Sequence, residues 1–301
     1  MEEILHQLGI DKRITDLSLG IIRPFDKFSG WEYYGAIKGN DQSEFPYPPL
    51  FIPLIIDYNS TPVADGIIKH WFTDRSISFG YMDFGNGFQL GESSRNQNQY
   101  VEGLFFEEFT DQHLSIINGE LLDKANELRL SENQVTTFKK ISDKKQHNTE
   151  CYLPSFVSDP PLNCVQTENL YKGTYPSNNK FLIERNLNKA SFFEIFHKEW
   201  IGYKPSKDCF NWFKKKLHFK QAEHIPEWLR PETNKHQLFD KYIINNEYDK
   251  AWLIINGPEF TPKEVGERLQ QLKAYSNEKA YHLWADFWCR KYGHMDTFIF
   301  I

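Results

Sequence analysis

The chain has 301 residues, 40% hydrophobic and 16% aromatic, so it holds enough apolar material for a sizeable core and is unlike a disordered polymer. A formal net charge of −6 and a pI near 6.0 argue against a general nucleic-acid-binding role, because phosphate contacts require a basic face. No stretch approaches the roughly 20 apolar residues of a membrane helix, and the first residues lack a secretory signal, which together predict a soluble cytoplasmic protein without membrane contact.

The N-terminal half has the pattern of an antiparallel meander. A short amphipathic helix with an early break at Gly9 precedes short segments rich in aromatic and β-branched residues. The predicted strands are Gly20–Ile22, Trp31–Gly35, Leu50–Tyr58, Gly66–Phe72 and Ser76–Phe84. Turn residues at 59–62 and 85–87 separate them, and the second turn predicts a hairpin.

Helical spacing begins at Gln99, and two further helices are predicted at Glu120–Leu130 and Glu132–Ser142. Ser131 and Gln134 have the spacing of a capping box for the second of these.

Residues 143–179 are polar and weakly periodic, which indicates a linker or an irregular excursion. The four cysteines contain no C-x-x-C pair, so we expect reduced, partly buried thiols.

The last third of the chain is predicted to be mainly helical. Spacing typical of helices returns at 192–216 and continues through four helices near 237–245, 247–256, 262–275 and 278–292. The sequence therefore predicts an α+β fold with an antiparallel sheet flanked by helices and a helical C-terminal region. Its predicted parts are a domain at 1–145, a linker or irregular excursion at 146–180 and a helical domain at 181–301.

None of the motifs of nucleophilic, phosphate-binding or metal-dependent catalysis is present, so we expect no enzyme activity, no catalytic residue, no metal and no cofactor. The nearest candidate for chemistry is a run on one predicted helix that carries Glu107, Glu108, Asp111 and His113. Such a cluster suits a metal ion or a proton transfer, but a solvated acidic helix face has the same spacing.

Three weaker patterns have simple alternatives. His147, Glu150 and Cys151 have zinc-ligand spacing only if the polar segment is helical. His70 and Asp74 bracket a strand end, where a surface histidine beside a turn aspartate is the alternative. The basic run at 214–220 suits phosphate, but is also typical of a solvated helix face.

The segment Pro49–Tyr58, the segment Gly66–Phe72 and the acidic aromatic helix around Phe105–Phe109 together resemble the SUKH superfamily. The resemblance covers about residues 1–140 and implies an α+β domain with a central antiparallel sheet. Many bacterial members are immunity proteins that bind and neutralise a toxin domain, and no catalytic residues are implied. The usual family domain is much shorter than this chain, so either half is open as the binding surface.

The resemblance thus implies a partner protein, the cognate toxin domain of a secreted effector. Interface hot spots favour aromatic residues, and the acidic helix suits a basic partner. The predicted partner-binding residues are Trp31, Tyr33, Tyr47, His70, Trp71, Glu107, Glu108 and Asp111. For the aromatic residues the alternative is burial in the sheet core. The alternative functions are a metal-dependent enzyme that uses the acidic and histidine cluster, and a regulatory scaffold.

Overall fold

The structure is a computed structural model, and it describes residues 1–25, 28–32, 46–57, 63–83, 89–111, 119–142, 149–165, 171–173, 193–195, 227, 233–257 and 260–296. Within these residues the fold is α+β, with an antiparallel sheet, flanking helices and a helical C-terminal region, as predicted. The predicted turns at 59–62 and 85–87 lie outside the described residues.

Two short helices open the chain, α1 at Glu2–Gln7 and α2 at Lys12–Ser18. Gly9 separates them with a φ of +67°, a left-handed conformation that glycine adopts without steric cost, so the predicted early break is confirmed. The predicted strand at Gly20–Ile22 is wrong, because Gly20 adopts a φ of +70° in the turn that ends α2.

The sheet contains six strands in sequence order, each antiparallel to its neighbours. They are β1 Phe28–Gly30, β2 Phe51–Asp57, β3 Val63–Ile68, β4 Ser78–Asp83, β5 Gln89–Ser94 and β6 Phe193–Ile195. In the predicted strand Trp31–Gly35, Trp31 instead begins a helical turn after β1, and 33–35 lie outside the described residues.

The hairpin predicted at 85–87 implies a strand after it, but the residues of β5 carry no strand pattern of their own. The residues Gln-Leu-Gly-Glu-Ser-Ser include no β-branched or aromatic side chain. The strand forms because it pairs with β4, for example Leu90 opposite Met82. β6 pairs with β5 in turn, so the helical prediction is wrong at 193–195, while the rest of 192–216 lies outside the described residues.

Three helices follow the sheet, α3 at Gln97–Asp111, α4 at Gly119–Glu127 and α5 at Glu132–Ser142. The capping box of α5 is confirmed, since Ser131 N donates to Gln134 Oε1 at 2.9 Å and Gln134 N donates to Ser131 Oγ at 3.3 Å. The bounds of α5 match the prediction because both ends carry local signals.

An irregular segment at 149–165 comes next. It contains a 3₁₀ turn at Thr149–Tyr152, the short helix α6 at Pro154–Ser158 and a second 3₁₀ turn at Leu162–Cys164. The expectation of reduced thiols is wrong here, because Cys151 forms a disulfide with Cys164. Short helical turns fold the intervening residues back and bring the two Cα atoms to 5.4 Å, which the sequence spacing does not reveal.

Four helices end the described chain, α7 at Lys235–Ile244, α8 at Tyr248–Ile255, α9 at Pro262–Lys273 and α10 at Lys279–Tyr292. They confirm the four predicted helices to within a few residues. Thr261 and Glu264 form a complete capping box at the start of α9.

One continuous cluster of buried apolar side chains joins the sheet, the flanking helices and the C-terminal helices. Leu50 and Phe51 from the sheet side are part of the same cluster as Trp252 and Trp284 from α8 and α10. The division into separate domains stays a prediction, but the described parts of the two halves share a core.

Candidate protein interaction surface

Three aromatic residues predicted to bind a partner lie inside the chain, where helix α10 covers them. Trp31 is 3% exposed and its ring lies 6.0 Å from that of Phe287. Trp71 is 1% exposed and packs against the same helix. Tyr47 is fully buried, and its carbonyl accepts a 2.8 Å hydrogen bond from Trp288 Nε1. These side chains hold the helical half on the sheet, and they present no surface to a docking protein.

Polar contacts reinforce the same seam between sheet and helices. Trp284 Nε1 donates to the Pro49 carbonyl at 2.6 Å, and Leu50 N donates to Asn256 Oδ1 at 2.6 Å. Both contacts are buried, so the backbone before β2 depends on side chains more than 200 residues further along the chain. The burial of the predicted aromatic residues therefore follows from the docking of α8 and α10.

The remaining predicted binding residues are divided between surface and interior. His70 is 2% exposed, and Glu108 is 3% exposed with its Oε1 3.4 Å from Lys124 Nζ. Glu107 is exposed on α3. Tyr33 and the side chain of Asp111 lie outside the described residues. Of the predicted set, Glu107 alone has a described side chain that is exposed to a docking partner.

The candidates for metal or proton chemistry that lie within the described residues do not form a common site. In the described part of the chain, no three His, Cys, Asp or Glu side chains form a group that could hold a metal ion. The Cys151 sulfur is bonded to Cys164, and His113 and His147 lie outside the described residues. Asp74 is exposed whereas His70 is buried. The basic run at 214–220 also lies outside the described residues.

Another set of aromatic side chains reaches the surface at the edge of the seam. Tyr248, at the start of α8, stacks on Tyr275, just after α9, with ring centroids 4.4 Å apart and planes at 19°. Phe72 lies four residues after β3. Its ring centroid is 6.4 Å from that of Tyr248 and 5.1 Å from that of the buried Tyr281. Tyr275 is 41% exposed, and the other two are half-buried. We call Phe72, Tyr248 and Tyr275 the aromatic patch.

The backbone at the patch is strained. Phe72 has a φ of +65°, a conformation that costs a bulky residue on the order of 1–3 kcal/mol. The turn around it is held by Thr73, whose Oγ1 donates to the His70 carbonyl at 3.1 Å. Asn246 is left-handed too, with a φ of +59°, and its Oδ1 accepts a 2.6 Å hydrogen bond from the Tyr248 hydroxyl. A bulky residue in this conformation, such as Phe72, is typical of functional sites, whereas asparagine adopts it at little cost.

Carboxylates flank each ring of the patch along the chain. They are Asp74 after Phe72, Glu247 and Asp249 on either side of Tyr248, and Glu278 after Tyr275. A hydrogen bond from Lys250 holds the pKa of Glu247 below its usual value, and Glu278 Oε2 lies 3.9 Å from Lys69 Nζ. Lys250 and Lys69 pair with two of the four carboxylates, so Asp249 and Asp74 supply the remaining formal negative charge beside the patch, which favours a cationic partner surface.

The sequence pattern does not predict this patch, although one predicted binding residue lies next to it. Trp71 was predicted as an anchor, whereas the adjacent Phe72 is the residue that lies at the surface edge. Tyr248 and Tyr275 lie 27 residues apart in sequence, and nothing in the local pattern indicates that they stack.

Comparison with protein families, with curated proteins and with solved structures finds no match for this chain. In the described ranges, no helix is both long enough and apolar enough to cross a membrane.

Proposed function

We propose that this protein is a cytoplasmic immunity protein that binds a basic toxin domain through the aromatic patch and neutralises it. The observation that carries the proposal is the partly exposed stack of Tyr248 and Tyr275 beside the strained Phe72. Tyrosine is enriched in interface hot spots because it contributes a large rigid contact area together with a hydroxyl group.

Charge and resemblance support the same function. The chain carries a formal charge of −6, and Asp74 and Asp249 lie next to the patch residues along the chain, so a basic toxin domain would be attracted to it. The resemblance of residues 1–140 to the SUKH superfamily supports an immunity role, in which a complementary surface is sufficient for inhibition. A stable complex of this type buries about 800 Å² per partner, an area that extends beyond the three rings.

The test uses the tagged full-length chain purified from its native host. We expect one protein to co-purify near equal stoichiometry, to be toxic when its C-terminal domain is expressed alone, and to be harmless when this chain is co-expressed. Replacing Tyr275 by Ala should weaken that binding by at least about fivefold, because a central hot-spot tyrosine contributes more than about 1 kcal/mol.

Tyr152 is a matched control, because its side chain is 45% exposed and that of Tyr275 is 41% exposed. It belongs to the 149–165 segment, which contains no residue of the aromatic patch. Tyr152→Ala should leave binding unchanged. Equal affinities of wild type and Tyr275→Ala would remove the patch from the interface. A purified chain with stoichiometric divalent metal and no toxic partner would overturn the immunity function in favour of the metal-dependent alternative.

A further inference from the structure

We propose that Cys151 and Cys164 form a reversible redox clasp that holds the segment 149–165 over a buried charged cluster. The disulfide joins two half-buried cysteines separated by 13 positions, and it closes the segment that contains α6. The bond therefore links the two ends of one structural unit.

The segment has little stability of its own. Its helical pieces are 4, 5 and 3 residues long, and helices this short do not persist without tertiary contacts. Four apolar side chains anchor it, namely Leu153, Phe156, Leu162 and Val165, and all of them are buried. Tyr152 and Val157 are 45% and 64% exposed. The disulfide is thus a major constraint on the segment.

Polar contacts add to this attachment. Gln99 Nε2, on α3, donates to the carbonyls of Ser155 at 2.9 Å and Asp159 at 2.8 Å. Ser155 Oγ also donates to Glu102. Such bonds exchange readily with water once the segment moves, because their net contribution is about 1 kcal/mol each.

The segment covers a buried carboxylate. Glu92, on β5, is fully buried and accepts hydrogen bonds from Leu162 N at 3.2 Å and from Tyr171 Oη at 3.0 Å. Arg75 Nη2 donates to the same carboxylate at 3.0 Å, and Arg95 Nη1 lies 3.8 Å away. Opening of the segment would remove the Leu162 donor and admit water to Glu92. The clasp therefore couples the redox state of two cysteines to the outer part of the sheet.

The chemistry is thiol–disulfide exchange with a dithiol as reductant. A thiolate of the dithiol attacks one sulfur, the Cys151–Cys164 bond breaks, and the second thiol of the reductant resolves the mixed disulfide. The protein gains two electrons and two protons as two thiols, and the dithiol leaves as its own disulfide. Oxidation by a disulfide such as oxidised glutathione reverses the step.

The test is hydrogen–deuterium exchange on the full chain with and without dithiothreitol, together with peptide mapping of the 151–164 cross-link. We expect the cross-link in the oxidised chain, and faster exchange at 153–162 on reduction, by up to on the order of a hundredfold, as loop-closure entropy for this spacing implies. Exchange in β2, β3 and β4 should stay unchanged, and re-oxidation should restore the slow rate.

Variants separate the clasp from other effects of the reductant. Cys151→Ser and Cys164→Ser should each exchange at the reduced rate whether or not dithiothreitol is present. Cys289→Ser, which changes a half-buried thiol in α10, should respond to dithiothreitol like the wild type. Absence of the cross-link after oxidation, or equal exchange in the two redox states of the wild type, would overturn the proposal even if a serine variant fails to fold.

Discussion

Replacing Asn256 by Ala tests whether the sheet and the C-terminal helices are one cooperative unit. Asn256 is 4% exposed, and its amide joins two backbones. Its Oδ1 accepts from Leu50 N at 2.6 Å, just before β2, and its Nδ2 donates to the Trp252 carbonyl at 2.7 Å in α8. The alanine variant leaves the buried Leu50 N–H without that acceptor.

The expected loss follows from these contacts. A buried donor left unsatisfied costs about 1–3 kcal/mol, and the deleted amide adds a small cavity, so we expect the free energy of unfolding to fall by roughly 2–4 kcal/mol. Because the buried apolar side chains of both halves form one cluster, the fall should appear in a single transition.

Urea denaturation followed by tryptophan fluorescence and by far-ultraviolet circular dichroism measures both quantities. Asn133→Ala is the matched control, since Asn133 lies exposed on α5 and its loss should change stability by less than about 0.5 kcal/mol. Two separate transitions in the wild type, or an Asn256→Ala variant as stable as the control, would refute the reasoning from the shared core.

Three further predictions concern the sheet, a helix cap and pH. Gly80→Ala should lower the free energy of unfolding by roughly 1–3 kcal/mol, since its new methyl group would overlap the Gly91 carbonyl and Ile68, whereas Gly119→Ala meets no atom within 4 Å and should be tolerated in the same denaturation assay. Thr261→Ala removes the acceptor for Glu264 N at 3.2 Å and should cost about 1 kcal/mol, read as a lower Tm. Burial, with the charges of Asp83 and Asp65, raises the pKa of Tyr81 from 10.0 to about 12. The contribution of the neutral Tyr81 side chain to the free energy of unfolding is therefore complete below pH 10 and is lost as the pH rises towards 12. In the Tyr81→Phe variant, the free energy of unfolding should change less between pH 10 and pH 12. The same pH dependence in the variant and the wild type would contradict the attribution to Tyr81.

The local elements of this protein were predictable where short-range chemistry defines them. The capping boxes at Ser131 and Thr261 and the apolar spacing of α10 marked their helices to within a few residues. Strand β5 carries no strand pattern of its own, because Gln89–Ser94 is too polar and too rich in small residues, and the strand depends on its neighbour. The disulfide was missed since a separation of 13 residues carries no signal without the turns between.

The candidate site was less predictable than the fold. The sequence indicated aromatic side chains near turns, and that class of residue does form the aromatic patch. It did not indicate which of them stay exposed, because no local pattern reports that α10 packs over Trp31, Tyr47 and Trp71.

The amino-acid pattern by itself thus determined the α+β class, the order of the C-terminal helices and their caps, since these depend on residues within a few positions of one another. The tertiary structure decided which aromatic residues are buried, which cysteines meet and where the surface lies. Each of these depends on contacts between distant segments, such as Trp284 with Pro49 across 235 positions, and no local pattern reports them.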